Sequence, residues 1–99
     1  MVYTVNEIKG KVEPIFAEKG VLRAVLFGSY AKGEATPESD VDILAYVDDG
    51  MDILDFAEMS GEVEDVLLKK VDFIYGGDIL SDGMTKQINE TGVVLFEKV

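Results

Sequence analysis

Two short motifs at the junction of two strand-like runs constrain this chain more than any other feature. Gly28-Ser29 follows the run Val21-Leu22-Arg23-Ala24-Val25-Leu26-Phe27, and after ten more residues Asp40-Val41-Asp42 opens a second run that extends to Val47. For the small-residue turn to face the acid pair, the end of the first strand must meet the start of the second. Paired neighbours then run antiparallel. A third acid, Asp72, stands near the start of Val71-Asp72-Phe73-Ile74-Tyr75. Bringing it to the same end makes the third strand parallel to the second, and a parallel pair needs a long crossover. The helical pattern over about 51–69 supplies that crossover.

The remaining elements follow from caps and periodicity. Thr4-Val5-Asn6-Glu7 has the form of a capping box. Val5, Ile8, Val12, Ile15 and Phe16 recur behind it at helical spacing, predicting a helix over 4–19 that Pro14 bends or splits and Gly20 ends. Ser29 to Lys32 opens a short helix stopped by Gly33, and Glu34 to Ser39 reads as a loop around Pro37. Residues 41–47 form the second strand, followed by the turn Asp48-Asp49-Gly50.

The helix over about 51–69 takes its apolar stripe from Ile53, Phe56, Ala57, Val63, Val66 and Leu67, and Gly61 weakens its middle enough for a break. Val71 to Tyr75 is the third strand, closed by Gly76-Gly77. Ser81 caps a helix ending at Thr91-Gly92, with Gly92 as the C′ residue, and Val93 to Phe96 is the last strand. The order α-β-α-β-α-β-α-β, without repeats or linkers, predicts one α/β (α+β) domain over residues 1–99. Its core is a mixed sheet of about four strands flanked by helices.

Residues two apart in a strand share a face, so Asp40 and Asp42 are expected to project together while Val41 and Ile43 enter the core. Two carboxylates so placed can close around divalent ions, and paired ions about 3.5–4 Å apart clamp the attacking and leaving oxygens of an in-line displacement. Asp72 interrupts an apolar run, where an unpaired carboxylate is costly and a cation removes the cost. Gly28 lets backbone approach phosphate oxygens, and Ser29 can donate to them. In isolation, Gly-Ser is equally a strand-to-helix turn. Lys32 either reaches a triphosphate oxygen or is a solvated helix residue, Tyr30 reads as packing or helix surface rather than base stacking, and Asp48, Asp49, Asp52 and Asp55 read as solvated turn and helix-start acids.

Composition removes many other chemistries. With no cysteine and no histidine, the chain has no disulfide, thiolate nucleophile or imidazole base. Any metal must be oxygen-ligated, which points to magnesium or manganese rather than zinc. A net charge of −11, from 20 acidic and nine basic residues, argues against direct nucleic-acid binding, and it either suits a basic partner or serves solubility alone. No apolar run approaches a membrane span of about 18–20 residues, so the expectation is a soluble, cytoplasmic protein.

Gly28-Ser29-Tyr30-Ala31-Lys32-Gly33-Glu34-Ala35, Ser39-Asp40-Val41-Asp42-Ile43-Leu44 and Val71-Asp72-Phe73-Ile74 together closely resemble the minimal nucleotidyltransferases of the DNA polymerase β-like superfamily. The resemblance spans nearly the whole chain. It implies transfer of a nucleoside monophosphate, AMP from ATP, to an acceptor hydroxyl with release of pyrophosphate. It also implies that Asp40 and Asp42 bind two Mg2+ ions (or Mn2+), and that Asp72 completes the ligand set and helps deprotonate the acceptor. Gly28 and Ser29 would hold the phosphates with Lys32 beside them. Lys32 stands where the family often has Arg, which keeps the charge but removes the planar fork.

Small members resembling this chain commonly serve as the antitoxin beside a HEPN-domain ribonuclease toxin, and some adenylylate tyrosine on that toxin. The implied partners are thus a nucleoside triphosphate and a HEPN-domain protein. Two other readings share the fold. One is a non-catalytic module that neutralises its partner by contact. The other is a catalytic subunit that joins a separate substrate-binding chain to modify a small molecule.

Overall fold

A computed structural model describes residues 2–77 and 80–98 of the chain. Helix α1 spans Val5–Lys19, strand β1 Val21–Phe27, α2 Gly28–Lys32, β2 Val41–Val47, α3 Ile53–Leu67, β3 Val71–Tyr75, α4 Asp82–Thr91 and β4 Val93–Glu97. The strands form one sheet in the order β3-β2-β1-β4. β1 pairs antiparallel with both β2 and β4, while β2 and β3 are parallel and joined through α3. The directions are those the two motifs demanded.

Three local expectations are corrected. Pro14 neither bends α1 apart nor splits it: the helix runs unbroken from Val5 to Lys19. Pro14 is exposed, and the carbonyl it leaves without an N–H is that of Gly10, also exposed, where water can serve. The Thr4 capping box forms as expected, with Thr4 Oγ1 accepting from the Glu7 N–H at 3.1 Å and Glu7 Oε1 from the Thr4 N–H at 2.9 Å. Buried Ile8, Val12 and Phe16 hold the other face against the sheet and outweigh one missing bond.

Gly61 likewise leaves α3 unbroken. Its cost of roughly 1 kcal/mol is small against the burial of Met59, Val63 and Leu67. The observed stripe runs through Phe56, Met59, Val63 and Leu67. Ile53, Ala57 and Val66 lie outside it, with Ile53 82% exposed. The start of α3 is fixed by Asp52 and Asp55, which cap each other's backbone N–H groups.

Gly92 ends α4 as expected, with φ −62°, an ordinary extended value rather than a left-handed one. A side chain there would instead meet the Ile88 carbonyl oxygen and Val25 Cγ1. The turn from α4 into β4 thus needs a glycine for space.

The sheet has two different faces. On one, Ala24, Leu26, Ile43, Val71 and Leu95 pack beneath α1 and α3 in a continuous core. Phe16 stacks on Phe73 at 6.0 Å and Phe73 on Phe56 at 4.9 Å, tying both helices to β3. The hydroxyl of Tyr3 donates to the Leu67 carbonyl at 2.6 Å, satisfying one of the last carbonyls of α3. On the other face α4 packs over β1 and beside α2. Alternation directs Asp42, Leu44, Asp72 and Ile74 to this second face.

Candidate active site

The second face of the sheet carries its polar groups at one end. Asp42 is the second residue of β2 and Asp72 the second residue of β3, and the parallel register makes them direct partners. Across the antiparallel pair, Asp42 stands opposite Phe27, the residue before Gly28. Gly28 opens α2 with φ +73°, and a Cβ added to it would overlap Asp42 Oδ2. Only a residue without a side chain leaves that carboxylate its position. The turn and the acids therefore meet as the sequence requires.

Ser29 follows in the first turn of α2, whose cap residue Phe27 supplies no side-chain hydrogen bond. Lys32 closes α2 and is exposed, and it makes no ion pair among the described residues. Tyr30 is 4% exposed and belongs to the core cluster, confirming it as packing.

Asp40 behaves differently from its neighbour. It lies just outside β2, in the loop, so the strand alternation does not govern it. Its Oδ2 is 3.9 Å from Lys70 Nζ. Among the described residues no three acids form a ready-made metal cage. Asp42 and Asp72 share a register position, while Asp40 turns to the nearest cation. Three carboxylates drawn together without a counter-ion repel, and Lys70 offers one of them relief.

Electrostatics identify Asp42 as the focus of the cluster. Its carboxyl is pushed up to about 6 from an ordinary 3.8, first by burial, then by the negative charges of Asp72 and Asp40 and a hydrogen bond shared with Asp72. A half-buried acid held between two others is a strong site for a hard cation, because a divalent ion removes all of these costs together. The donors are all oxygen, which fits magnesium or manganese.

The surrounding loop is pinned by the residues that precede Asp72. Lys69 Nζ donates to the Pro37 carbonyl at 2.8 Å, and the Val41 N–H donates to the Lys70 carbonyl at 3.1 Å. Thr36 and Ser39 close the loop on itself, with the Thr36 N–H donating to Ser39 Oγ at 2.9 Å. Sequence reasoning singled out neither lysine. The available signal was the Lys-Lys pair directly ahead of Val71-Asp72.

The chain is similar to known proteins along most of its length. A family profile described as polymerase beta, nucleotidyltransferase, matches residues 10–99. A Methanocaldococcus jannaschii protein named as a candidate protein adenylyltransferase, MJ0435, is 46% identical over 70 residues, covering 71% of this chain and 75% of the relative. Protein adenylyltransferase MntA of Thermococcus cleftensis is 36% identical over 69 residues, covering 70% of this chain and 69% of the relative.

Solved structures share the fold. A toxin–antitoxin structure with AMP-PNP contains a chain that aligns with a TM-score of 0.75 at 23% identity, over 91% of this chain and 73% of that one. The tri-AMPylated Shewanella oneidensis HEPN toxin in complex with an MNT antitoxin contains a chain that aligns with a TM-score of 0.69 at 20% identity, over 96% of this chain and 74% of that one.

Proposed function

The chain belongs to the polymerase β nucleotidyltransferase family, and from that premise we propose that it moves AMP from ATP onto a hydroxyl of a HEPN-domain protein, as the antitoxin of a toxin–antitoxin pair. Residues 1–99 act as one minimal nucleotidyltransferase domain. The reaction takes place in the cytoplasm, where ATP is supplied. Among the described residues no helix is long and apolar enough to cross a membrane.

The observation that carries this reading is the direct pairing of Asp42 with Asp72 beside a glycine that leaves room for nothing else. Gly28 and Ser29 hold the phosphates through backbone N–H groups and the Ser29 hydroxyl. Lys32, at the end of the same helix, adds positive charge near them. Asp42, Asp72 and Asp40 would hold two divalent cations, Mg2+ by preference, with Asp40 giving up its contact with Lys70 to do so. The ions, when bound, neutralise charge on the phosphates and on the oxygens entering and leaving phosphorus.

Asp72 is exposed, so an acceptor can approach it directly. There it orients the acceptor hydroxyl and takes up its proton as the oxygen attacks the α-phosphorus in line. The new oxygen–phosphorus bond replaces the one to pyrophosphate, which departs on the opposite side.

The test is transfer of label from α-labelled ATP to the HEPN-domain protein of the same genome in the presence of magnesium. Wild-type protein should label it. Asp42→Asn and Asp72→Asn should each reduce labelling by at least 100-fold with the fold intact by circular dichroism. Transfer that survives both substitutions excludes this site as the catalytic one.

A further inference from the structure

Helix α3 leaves part of its apolar surface unused. Ile53 and Leu54, in its first turn, are 82% and 76% exposed. Beside them lies a groove of about 520 Å³, lined chiefly by Val47, Met51, Ile53, Phe56, Phe73 and Tyr75. Phe56 stacks on Phe73 at 4.9 Å and meets Tyr75 edge-on at 5.7 Å, so the wall is aromatic and already packed. The groove borders β3, an edge strand of the sheet. Contiguous apolar surface of this kind marks an interaction site.

The chemistry of the wall selects the occupant. A small-molecule site needs several polar groups converging on the ligand. Here the ionised side chain in the lining is Asp52, which already accepts the Asp55 N–H at 2.8 Å as the cap of α3. What surrounds the groove is negative charge. Asp48, Asp49, Asp52 and Asp55 lie within one turn and helix start. A second cleft, lined by Glu18, Asp48, Asp55 and Glu58, adjoins the groove through Met51, which lines both. Lys19 is the cation in that cleft, with its Nζ 3.8 Å from Glu58 and 3.6 Å from Glu62. An apolar slot with an acidic rim complements a protein surface that projects an apolar side chain among Lys and Arg residues.

The groove is also placed to serve the reaction. Tyr75 follows Asp72 by three residues on β3, a separation of roughly 10 Å, and points to the opposite face of the sheet. A protein seated in the groove at this free edge has a short path around β3 to the carboxylates.

We infer that this groove is the docking surface for the acceptor protein, a basic surface that seats an apolar side chain against Phe56, Phe73 and Tyr75 while its Lys and Arg residues meet the acidic rim. The inference rests on the transfer to a protein hydroxyl proposed above, and it adds where that protein binds.

The experiment measures affinity of the full chain for the HEPN-domain protein of the same genome by calorimetry, with AMP transfer assayed in parallel. Ile53→Arg introduces bulk and the wrong charge at an exposed position, and Asp49→Lys reverses charge on the rim without entering the groove. Ile53→Arg should weaken binding at least tenfold and raise KM for the acceptor in proportion, with KM for ATP unchanged. Asp49→Lys should weaken binding about threefold or more, and 500 mM NaCl should weaken the wild type. Leu68→Asn, at a residue 83% exposed outside the groove lining, should stay within twofold.

Wild-type affinity in Ile53→Arg, with AMP transfer intact, overturns the docking surface and leaves the transfer reading standing. Equal loss in Leu68→Asn overturns it as well. Binding that Ile53→Arg weakens tenfold, by a wild-type protein that transfers no AMP, supports the surface and removes the transfer reading. Absence of wild-type binding overturns both.

Discussion

Gly28 lies so close to Asp42 that a methyl group in place of its hydrogen would overlap the carboxylate oxygen Oδ2. The same residue has φ +73°, a conformation that costs an L side chain roughly 1–2 kcal/mol. Gly28→Ala is therefore expected to lower Tm by about 4–8 °C for each kcal/mol and to displace Asp42. AMP transfer should fall at least 100-fold. Ser29→Ala, which removes one hydroxyl and strains nothing, should keep its Tm within about 2 °C. Thermal melts alongside labelled-ATP transfer separate the two effects.

The raised Asp42 carboxyl makes stability depend on pH. Well below the unfolded value of 3.8 the group is protonated in both folded and unfolded chains, and its full contribution is present. As pH rises toward and through about 6, the unfolded chain ionises first and the folded state carries a charge that burial, Asp72 and Asp40 oppose. Stability is lost across that window, and because the site is half-buried the loss is discounted to about 1 kcal/mol. Asp42→Asn should abolish this loss, so the variant should melt above wild type at pH 7.5 and near it at pH 4.5. Added Mg2+ should raise the wild-type Tm more at pH 7.5 than at pH 5, and should do little for Asp42→Asn. Melting curves at the two pH values, with and without Mg2+, check all three.

Leu68 ends α3 in the left-handed region at φ +55°, where a leucine side chain is strained, and it is 83% exposed. Leu68→Asn should relieve the strain and stabilise the fold by about 0.5–1 kcal/mol, visible as a Tm rise of a few degrees. Catalytic parameters should not change.

Much of the fold was legible because the proposed chemistry dictated strand directions. Gly28, Asp42 and Asp72 could share one end only if β1 ran against β2 and β3 ran with it, and both hold. Period-2 and helical spacing then placed the elements with small errors at their ends. The position of β4 beside β1 carried no such demand, and nothing in Val93 to Phe96 names its neighbour. Ile53 was assigned to the core because its spacing fits the stripe. The burial of α3, however, begins at Phe56, where Phe73 waits beneath it. The pairing of Asp40 with Lys70 was hidden for a different reason: it joins residues 30 apart, through the start of β3.

Gly92→Ala probes α4, the helix packed over β1 on the reactive face. The added methyl would collide with the Ile88 carbonyl and press on Val25 Cγ1, so α4 must shift from β1. A destabilisation of about 1–3 kcal/mol is expected, with faster amide exchange in α4 than in α1. Hydrogen-exchange mass spectrometry reads that difference directly.

Among the described residues the carboxylate face of this sheet is flanked by α4 over β1 and by α2 beside it, and Asp72 is exposed. A triphosphate held there alone remains wet, and water weakens every electrostatic contact that would activate it. On the proposed reading, the acceptor itself closes the site. Commitment of the nucleotide is then gated by assembly, and little of it is squandered on hydrolysis while the second molecule is away.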